Sequence, residues 1–381
     1  MKDLWLRCRD RLVVLLTLCG LLAAGVFAVC RGGILSSGRE YLSKVPDPPS
    51  LTDWQFDKQT ETYLADRIPF RTDMIALDAG MNVLTGRRTQ LNNWYESGAI
   101  LEKPVTNATE AQMRAVLSKL ESVAGKKAPA WYVLTPPTHG WLLRGGMTPL
   151  MAKQYDAETS AMETLYENEH AVRMPEAFCE NPQTMYYRTD HHWTLAGAYQ
   201  AYLALGERLG FEPLPLEDFR LSSYGGFHGT TLSGSGLPAL WADTLDCAEP
   251  AGPVRLTVLC TDNVTLETYD HLIFPEMAET VDGYGVYLQT NYALLMIENE
   301  AAPDRTLFIF KDSFANCLMP LLSAHYRRVV AADPRLMNGG YSRMLREAKR
   351  LFGDEAGSPD AILFLYSLDH LVAEFGTAVT Q

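Results

Sequence analysis

The sequence predicts an α/β domain: a mostly parallel sheet with helices on both faces. Two observations predict it. Strand and helix patterns alternate from Thr109 to Leu209 and again from Arg305 to Ser367. The two segments richest in reactive side chains both fall where a strand gives way to a helix. Alternation of this kind buries a parallel sheet between two helical layers, and sites in such folds collect at the carboxyl ends of the strands.

Taken in order, the chain opens with Leu12 to Cys30, "LVVLLTLCGLLAAGVFAVC", a run without a charge, preceded by Lys2, Arg7, Arg9 and Arg11. A run of this length spans a bilayer as a helix, and the preceding cations would keep the short N-terminus in the cytoplasm. The expectation is a single-pass signal anchor over residues 1–31 with the main domain extracytoplasmic. A signal peptide cleaved after "VFA" and a buried core helix are the alternatives. Residues 32–105 read as a Pro-rich linker followed by a helical region that "DRIPFR" (Asp66–Arg71) interrupts, because Pro69 cannot continue a helix.

Residues 106–381 form the predicted main domain. Thr109 to Val123 is helical, with capping residues before it and Gly125 after it. "APAWYVLTPP" (Ala128–Pro137) reads as a buried strand ended by prolines. Ala157–Glu169 is helical, "HAVRMPEAF" suits a short strand, and Thr194–Leu209 is a helix capped by Thr194 and stopped by Gly210. Residues 211–290 are rich in Gly, Thr and Tyr and read as a loop-rich insertion with short strands such as "VRLTVLC". The alternation then resumes with "RTLFIF", "SFANCLMPLLSAHY", "RRVVAAD", "YSRMLREAKRLF" and "DAILFLYS".

The formal charge of -13 argues against general nucleic-acid binding, which needs a basic surface. Of 7 cysteines, Cys8, Cys19 and Cys30 belong to the leader. Cys247 and Cys260 flank "AEPAGPVRLTVL", a hairpin or local loop that a disulfide could close. No CxxC spacing supports structural zinc. Asn107 and Asn263 stand in N-x-Thr sequons.

The first reactive segment is "YYRTDHHWT", Tyr186–Thr194, in a chain with only 8 His. Residues two apart in an extended segment face the same way, so Asp190 and His192 share a face and His191 points away. A carboxylate beside an imidazole fixes its tautomer and steadies the imidazolium, as a general base requires. Trp193 would shield the pair from water. The bland reading makes Asp190 a helix cap and the rings core. A metal is the sharper competitor, but ligands must converge in number, and the segment offers only Asp190, His191 and His192; no metal and no cofactor are expected. The second segment is "FIFKDSFAN", where Ser313 stands at a strand end before a helix, a place whose free N–H groups favour an oxyanion. His192 could serve as the base that its hydroxyl needs. Alternatively, Asp312 and Ser313 are simply caps.

"YYRTDHHWTLAGAYQAY", "FHGTTLSG", "FIFKDSFANCLMPLL", "VVAADPR", "DRIPFR" and "YVLTPPTHGW" together resemble the DHHW family of bacterial exported proteins. That family is similar to the SGNH-hydrolase-like domain of alginate O-acetyltransferases. The resemblance implies a three-layer α/β/α sandwich and a site for acyl transfer or ester hydrolysis with Ser313 as nucleophile, His192 as base and Asp190 as its orienting acid. Asn291 and Asn316 are candidate oxyanion donors, and Lys311, Trp193, His139 and Thr230 are candidates for the substrate-site rim. Two departures stand out. Lys311 replaces the glycine of the usual Gly-Asp-Ser, and Thr290-Asn291 stands where a Gly-Asn pair is common.

The function expected is an extracytoplasmic O-acyl, foremost O-acetyl, transferase or esterase acting on a cell-surface or secreted polysaccharide or other acylated glycan. Its partners would be the membrane, through the N-terminal helix, and envelope proteins such as a membrane acyl carrier. The alternatives are an inactive scaffold that binds glycan or a partner, and a metal-dependent phosphoesterase.

Overall fold

The computed structural model describes residues 13–20, 23, 55–68, 70–87, 89–90, 93–96, 98–125, 127–239, 241–337 and 340–376. Most of the predicted anchor, the linker 32–54 and Pro69 lie outside these. Residues 13–20 are helical and exposed, and among the described residues no helix is long and apolar enough to cross a membrane. The chain divides into two compact units, residues 1–91 with 233–238, and residues 92–232 with 239–381.

In the first unit, helices α1 (Gln55–Asp66) and α2 (Arg71–Leu84) flank the "DRIPFR" break. Phe70, at the N-cap of α2, has φ of 60°. Arg67 is buried, with its guanidinium 3.6 Å from the Tyr63 ring centroid.

The second unit opens with the hairpin β1 (Asn93–Glu96) and β2 (Ala99–Leu101). There follow α3 (Glu110–Ala124), β3 (Ala130–Leu134), α4 (Asp156–Tyr166) and α5 (Leu195–Leu209). The caps are those the sequence marks. Thr109 and Gln112 form a reciprocal capping box at α3, Thr194 accepts from Gly197 N at α5, and Gly210 closes α5 with φ of 69°. After them come β4 (Phe219–Phe227), β5 (Asp243–Pro250), β6 (Arg255–Leu259), β7 (Leu266–Tyr269) and β8 (Leu294–Glu298). The chain ends with β9 (Thr306–Lys311), α6 (Ala315–Leu322), β10 (Arg328–Ala332), α7 (Tyr341–Phe352), β11 (Ala361–Leu365) and α8 (Leu368–Phe375).

The central sheet has the order β3-β11-β9-β10-β8-β6-β7. Its first four strands are parallel, while β8, β6 and β7 join antiparallel. The sheet is therefore mixed, not mostly parallel. "ALLMIE" supplies β8, a strand that the alternation does not reveal, because it arrives from a loop with no crossover helix. Within residues 211–290 the expected strand "VRLTVLC" forms as β6, but the segment holds more regular structure than loops. It places β6 and β7 in the central sheet and pairs β4 with β5 in a second one.

Every residue of β9 and of β11 is buried, as for strands covered on both faces. Alternate residues of the parallel strands enter two cores. Leu307, Ile309, Val329 and Leu363 meet α5 and α6, whereas Phe308, Phe310, Val330 and Phe364 meet α3, α4, α7 and α8. Truncating one such ring to alanine costs about 3–5 kcal/mol. The result is a three-layer sandwich.

"HAVRMPEAF" makes only one bridge, Val133 with Ala171, before a short helix at Glu176–Glu180. Cys247 lies in β5 of the two-stranded sheet, Cys260 follows β6 of the central sheet, and both are free thiols, so neither the hairpin nor the disulfide forms.

The chain leaves β9 to one side, through α6 to β10, and returns through α7 to β11 on the other side. That reversal opens a crevice at the carboxyl end of β9, where Lys311, Asp312 and Ser313 follow.

Candidate active site

Asp190 and His192 come together through a tight local turn. The backbone N–H of His192 donates to Asp190 Oδ1 at 3.0 Å, and His192 Nδ1 lies 2.6 Å from the same oxygen. This is an Asx-type turn, in which a short carboxylate captures the backbone two residues on. Asp190 does not cap α5, since Thr194 does. The other carboxylate oxygen, Oδ2, accepts from Thr230 N at 2.8 Å and Thr230 Oγ1 at 3.0 Å.

Gly229 makes that approach possible. A Cβ there would stand 2.2 Å from Asp190 Cβ and 2.5 Å from its Oδ2. Thr189, which donates through N and Oγ1 to Asp243, also accepts from Gly229 N at 3.1 Å.

His192 presents its far nitrogen to the second segment, with Nε2 2.7 Å from Ser313 Oγ. Three groups 123 positions apart at their extremes thus form one line, Asp190, His192 and Ser313. Ser313 is half-buried and its hydroxyl does not cap α6, which has Phe314 at its N-cap position and no side-chain cap. The serine is kept in place by Asp312, which is fully buried. Asp312 Oδ1 accepts from Phe314 N at 2.9 Å, and its Oδ2 accepts from Ser367 N and Oγ and lies 2.9 Å from His370 Nδ1. Hydrogen bonds from His370 and Ser367 overcome burial and bring the Asp312 carboxyl down to about 2.

The electrostatics suit a neutral base. Burial and the neighbouring His191 lower His192 to about 4 against the pull of Asp190. Burial alone would raise the Asp190 carboxyl, but the two imidazoles and the hydrogen bonds from His192 hold it well below the usual carboxylate range. Burial also opposes protonation of His191, yet Asp190 and Glu102 outweigh it and raise that imidazole.

His191 does not point away. Its ring lies 3.9 Å from that of His192, and its Nδ1 is 3.0 Å from Thr230 Oγ1. The ligand atoms of Asp190, His191 and His192 all lie within 4.8 Å of one another, close enough for a metal. The donor set fits one poorly, because N–H and O–H donors already occupy both Asp190 oxygens and His192 Nε2 faces Ser313.

The remaining candidates divide. Trp193 is fully buried, off the rim, and its indole N–H donates to Phe314 O at 3.0 Å, tying the two reactive segments together. Lys311 is also fully buried, behind the serine instead of on a rim. Its Nζ donates to Asn316 Oδ1 at 2.7 Å and Asn291 Oδ1 at 3.1 Å. Asn316 is buried and passes its Nδ2 to Asn291 Oδ1 at 3.2 Å.

His139 is buried against Tyr186 and lines a cavity of about 390 Å³ with Glu102, His191, Phe314, Ser367 and Asp369. Burial brings His139 down to about 4, and its ring nitrogens have no hydrogen-bond partner. Thr230, exposed, holds Asp190 and His191 together.

Residues 176–332, which contain both segments, match the DHHW protein family. Over these residues the chain is similar to that family.

The chain also has solved structural relatives. The crystal structure of a DHHW family protein from Eubacterium siraeum DSM 15702 is similar, with TM-score 0.58 and 19% identity over 74% of this chain and 91% of that one. Bacillus cereus PatB1 gives TM-score 0.59 and 18% identity over 75% and 98%. PatB1 has also been solved with a sulfonyl adduct, at TM-score 0.58 and 18% identity over 74% and 99%. These likenesses concern the fold. No curated protein matches the chain.

Three partners of the DHHW site are not evident from sequence pattern. Tyr284 stacks on His192 from inside the Gly- and Tyr-rich stretch, where one tyrosine looks like another. His370 and Ser367 reach Asp312 from the last strand–helix turn, "YSLDH". Its position after a parallel strand was the only available signal.

Proposed function

We propose that the chain is an acyl-transfer enzyme of the serine type, acting on an ester, foremost an O-acetyl group, of a glycan. One observation carries the reading: Ser313 Oγ lies 2.7 Å from His192 Nε2 while His192 Nδ1 lies 2.6 Å from Asp190. A hydroxyl is a weak nucleophile until a base within hydrogen-bond reach takes its proton, and this base is neutral near pH 7.

In the proposed sequence, Ser313 Oγ attacks the acyl carbonyl carbon as its proton passes to His192 Nε2. The tetrahedral oxyanion collapses and expels the first alcohol, which takes the proton from His192. An acceptor hydroxyl, from a sugar or from water, then gives its proton to His192 and attacks the acyl-serine. Collapse frees Ser313, whose Oγ recovers the proton. Asp190 stays ionised throughout, orienting the ring and steadying the imidazolium. The cavity beside His191 and Phe314 is large enough for a small ligand and would receive a sugar unit.

The uncharged leader supports placement outside the cytoplasm on a membrane anchor, with the acyl group delivered by a membrane carrier protein. The test is intact-mass spectrometry with a model acetyl ester. The wild-type chain should gain one acetyl on Ser313, and Ser313→Ala none. Turnover at the wild-type rate by Ser313→Ala would remove the mechanism. A chain that binds glycan but never acylates would be a scaffold.

A further inference from the structure

We propose that Lys311 is the cationic support of the oxyanion site, holding Asn291 with its amide N–H₂ turned outward and supplying a positive charge that has no direct carboxylate partner among the described residues. This rests on the reading of Ser313 as the nucleophile.

The first argument is hydrogen-bond chemistry. An ammonium only donates, so every neighbour must offer Lys311 an oxygen. Asn316 and Asn291 both do, through Oδ1, and Asn316 Nδ2 adds a second donor to Asn291 Oδ1. With its oxygen so occupied, Asn291 must face away from Lys311 with Nδ2. Asn291 is half-buried, so that its N–H₂ is the more accessible donor, whereas Asn316 is buried and supports it. Asn316 N donates to Ser313 O at 3.1 Å, joining this amide relay to the serine turn.

The second argument is charge. Lys311 is fully buried, and its hydrogen bonds end on neutral oxygens, the third being Asp312 O at 3.4 Å. The nearby carboxylates are committed elsewhere. Asp333 takes three hydrogen bonds from Arg335, at 3.2, 2.9 and 2.7 Å, and Asp312 is taken by His370 and Ser367. A buried cation whose direct hydrogen-bond partners are all neutral is costly. Burial accordingly draws Lys311 down to about 8, with Asp333 and Asp312 opposing. An anion forming on the acyl oxygen at Ser313, two residues on, would repay that cost at the transition state alone. Interactions stronger in the transition state than in the ground state are those that speed the chemical step.

The experiment compares full-length wild type, Lys311→Met, Asn291→Ala and the double variant. It reads the acylation rate and KM with a model acetyl ester, and the melting temperature. The expected result is an acylation rate about 10²-fold lower for Lys311→Met, KM within about twofold, and melting unchanged or higher, because a buried charge has gone. The double variant should be no slower than the slower single, since both residues act at one place. Should the Met variant fail to fold, Lys311→Gln, which keeps a donor without the charge, carries the same expectation. A folded variant that acylates at the wild-type rate, or independent, multiplying losses in the double variant, would overturn the proposal and leave the Ser313 reading standing. A wild-type chain that never acylates overturns both.

Discussion

The imidazole of His192 lies flat against the phenol ring of Tyr284, with centroids 3.7 Å apart and planes 4° from parallel. Together with Phe314, at 5.0 Å, Tyr284 walls the base from water, the role expected of Trp193. The Tyr284 hydroxyl is buried without a hydrogen-bond partner. Tyr284→Phe should therefore keep activity within about twofold and melt at the same or a higher temperature, since an unmatched polar group is removed. Tyr284→Ala should destabilise by about 3–5 kcal/mol and slow turnover by freeing the imidazole. Thermal melts and ester hydrolysis check both.

Asp190 accepts four hydrogen bonds through its two oxygens. An amide offers one accepting oxygen, so Asp190→Asn should leave donors unmatched and present the wrong tautomer of His192. The expected loss in kcat is on the order of 10⁴-fold, measurable by single-turnover acylation, with KM little changed.

Gly229→Ala tests the close approach of the two loops. Its Cβ would stand 2.6 Å from Thr189 O as well as against Asp190, so one loop must move. Because misplacement of about 1 Å can cost 10²-fold, acylation should fall by that order. A crystal structure should find the Thr230–Asp190 bonds lengthened.

The pH profile follows from the two shifted groups. His192, lowered to about 4, works unprotonated, so acylation should rise with pH through about 4 and level off above it. Lys311 works protonated, so acylation should fall again through about 8, a limb that Lys311→Met should lose. The charged groups about Lys311 are Asp333, Asp312 and Arg335. His192 also couples stability to pH. Its folded value lies below the ordinary 6.5, so it contributes stability above 6.5 that is lost as pH falls towards 4. Stopped-flow acylation and melts across pH check these.

Much of this fold was legible because it is local. Thr109, Thr194, Gly125 and Gly210 mark helix ends through their own side chains or lack of one, and "TLFIF" and "AILFL" announce strands buried on both faces. What was not legible depends on neighbours distant in sequence. The period of "ALLMIE" does not say that β8 runs antiparallel beside β10, nor does "VRLTVLC" say that it leaves Cys247 for another sheet.

The site divides the same way. By itself the sequence determined the reactive side chains, Asp190, His192 and Ser313, and set them at turns, because turn and cap chemistry acts over two to four residues. Only the tertiary structure decided that the imidazole meets the alcohol, that Tyr284 covers it, and that Lys311 faces inward to two asparagines. Those outcomes follow from how two apolar cores pack against one twisted sheet. Such packing is a sum over the whole chain, and no short stretch of residues contains it.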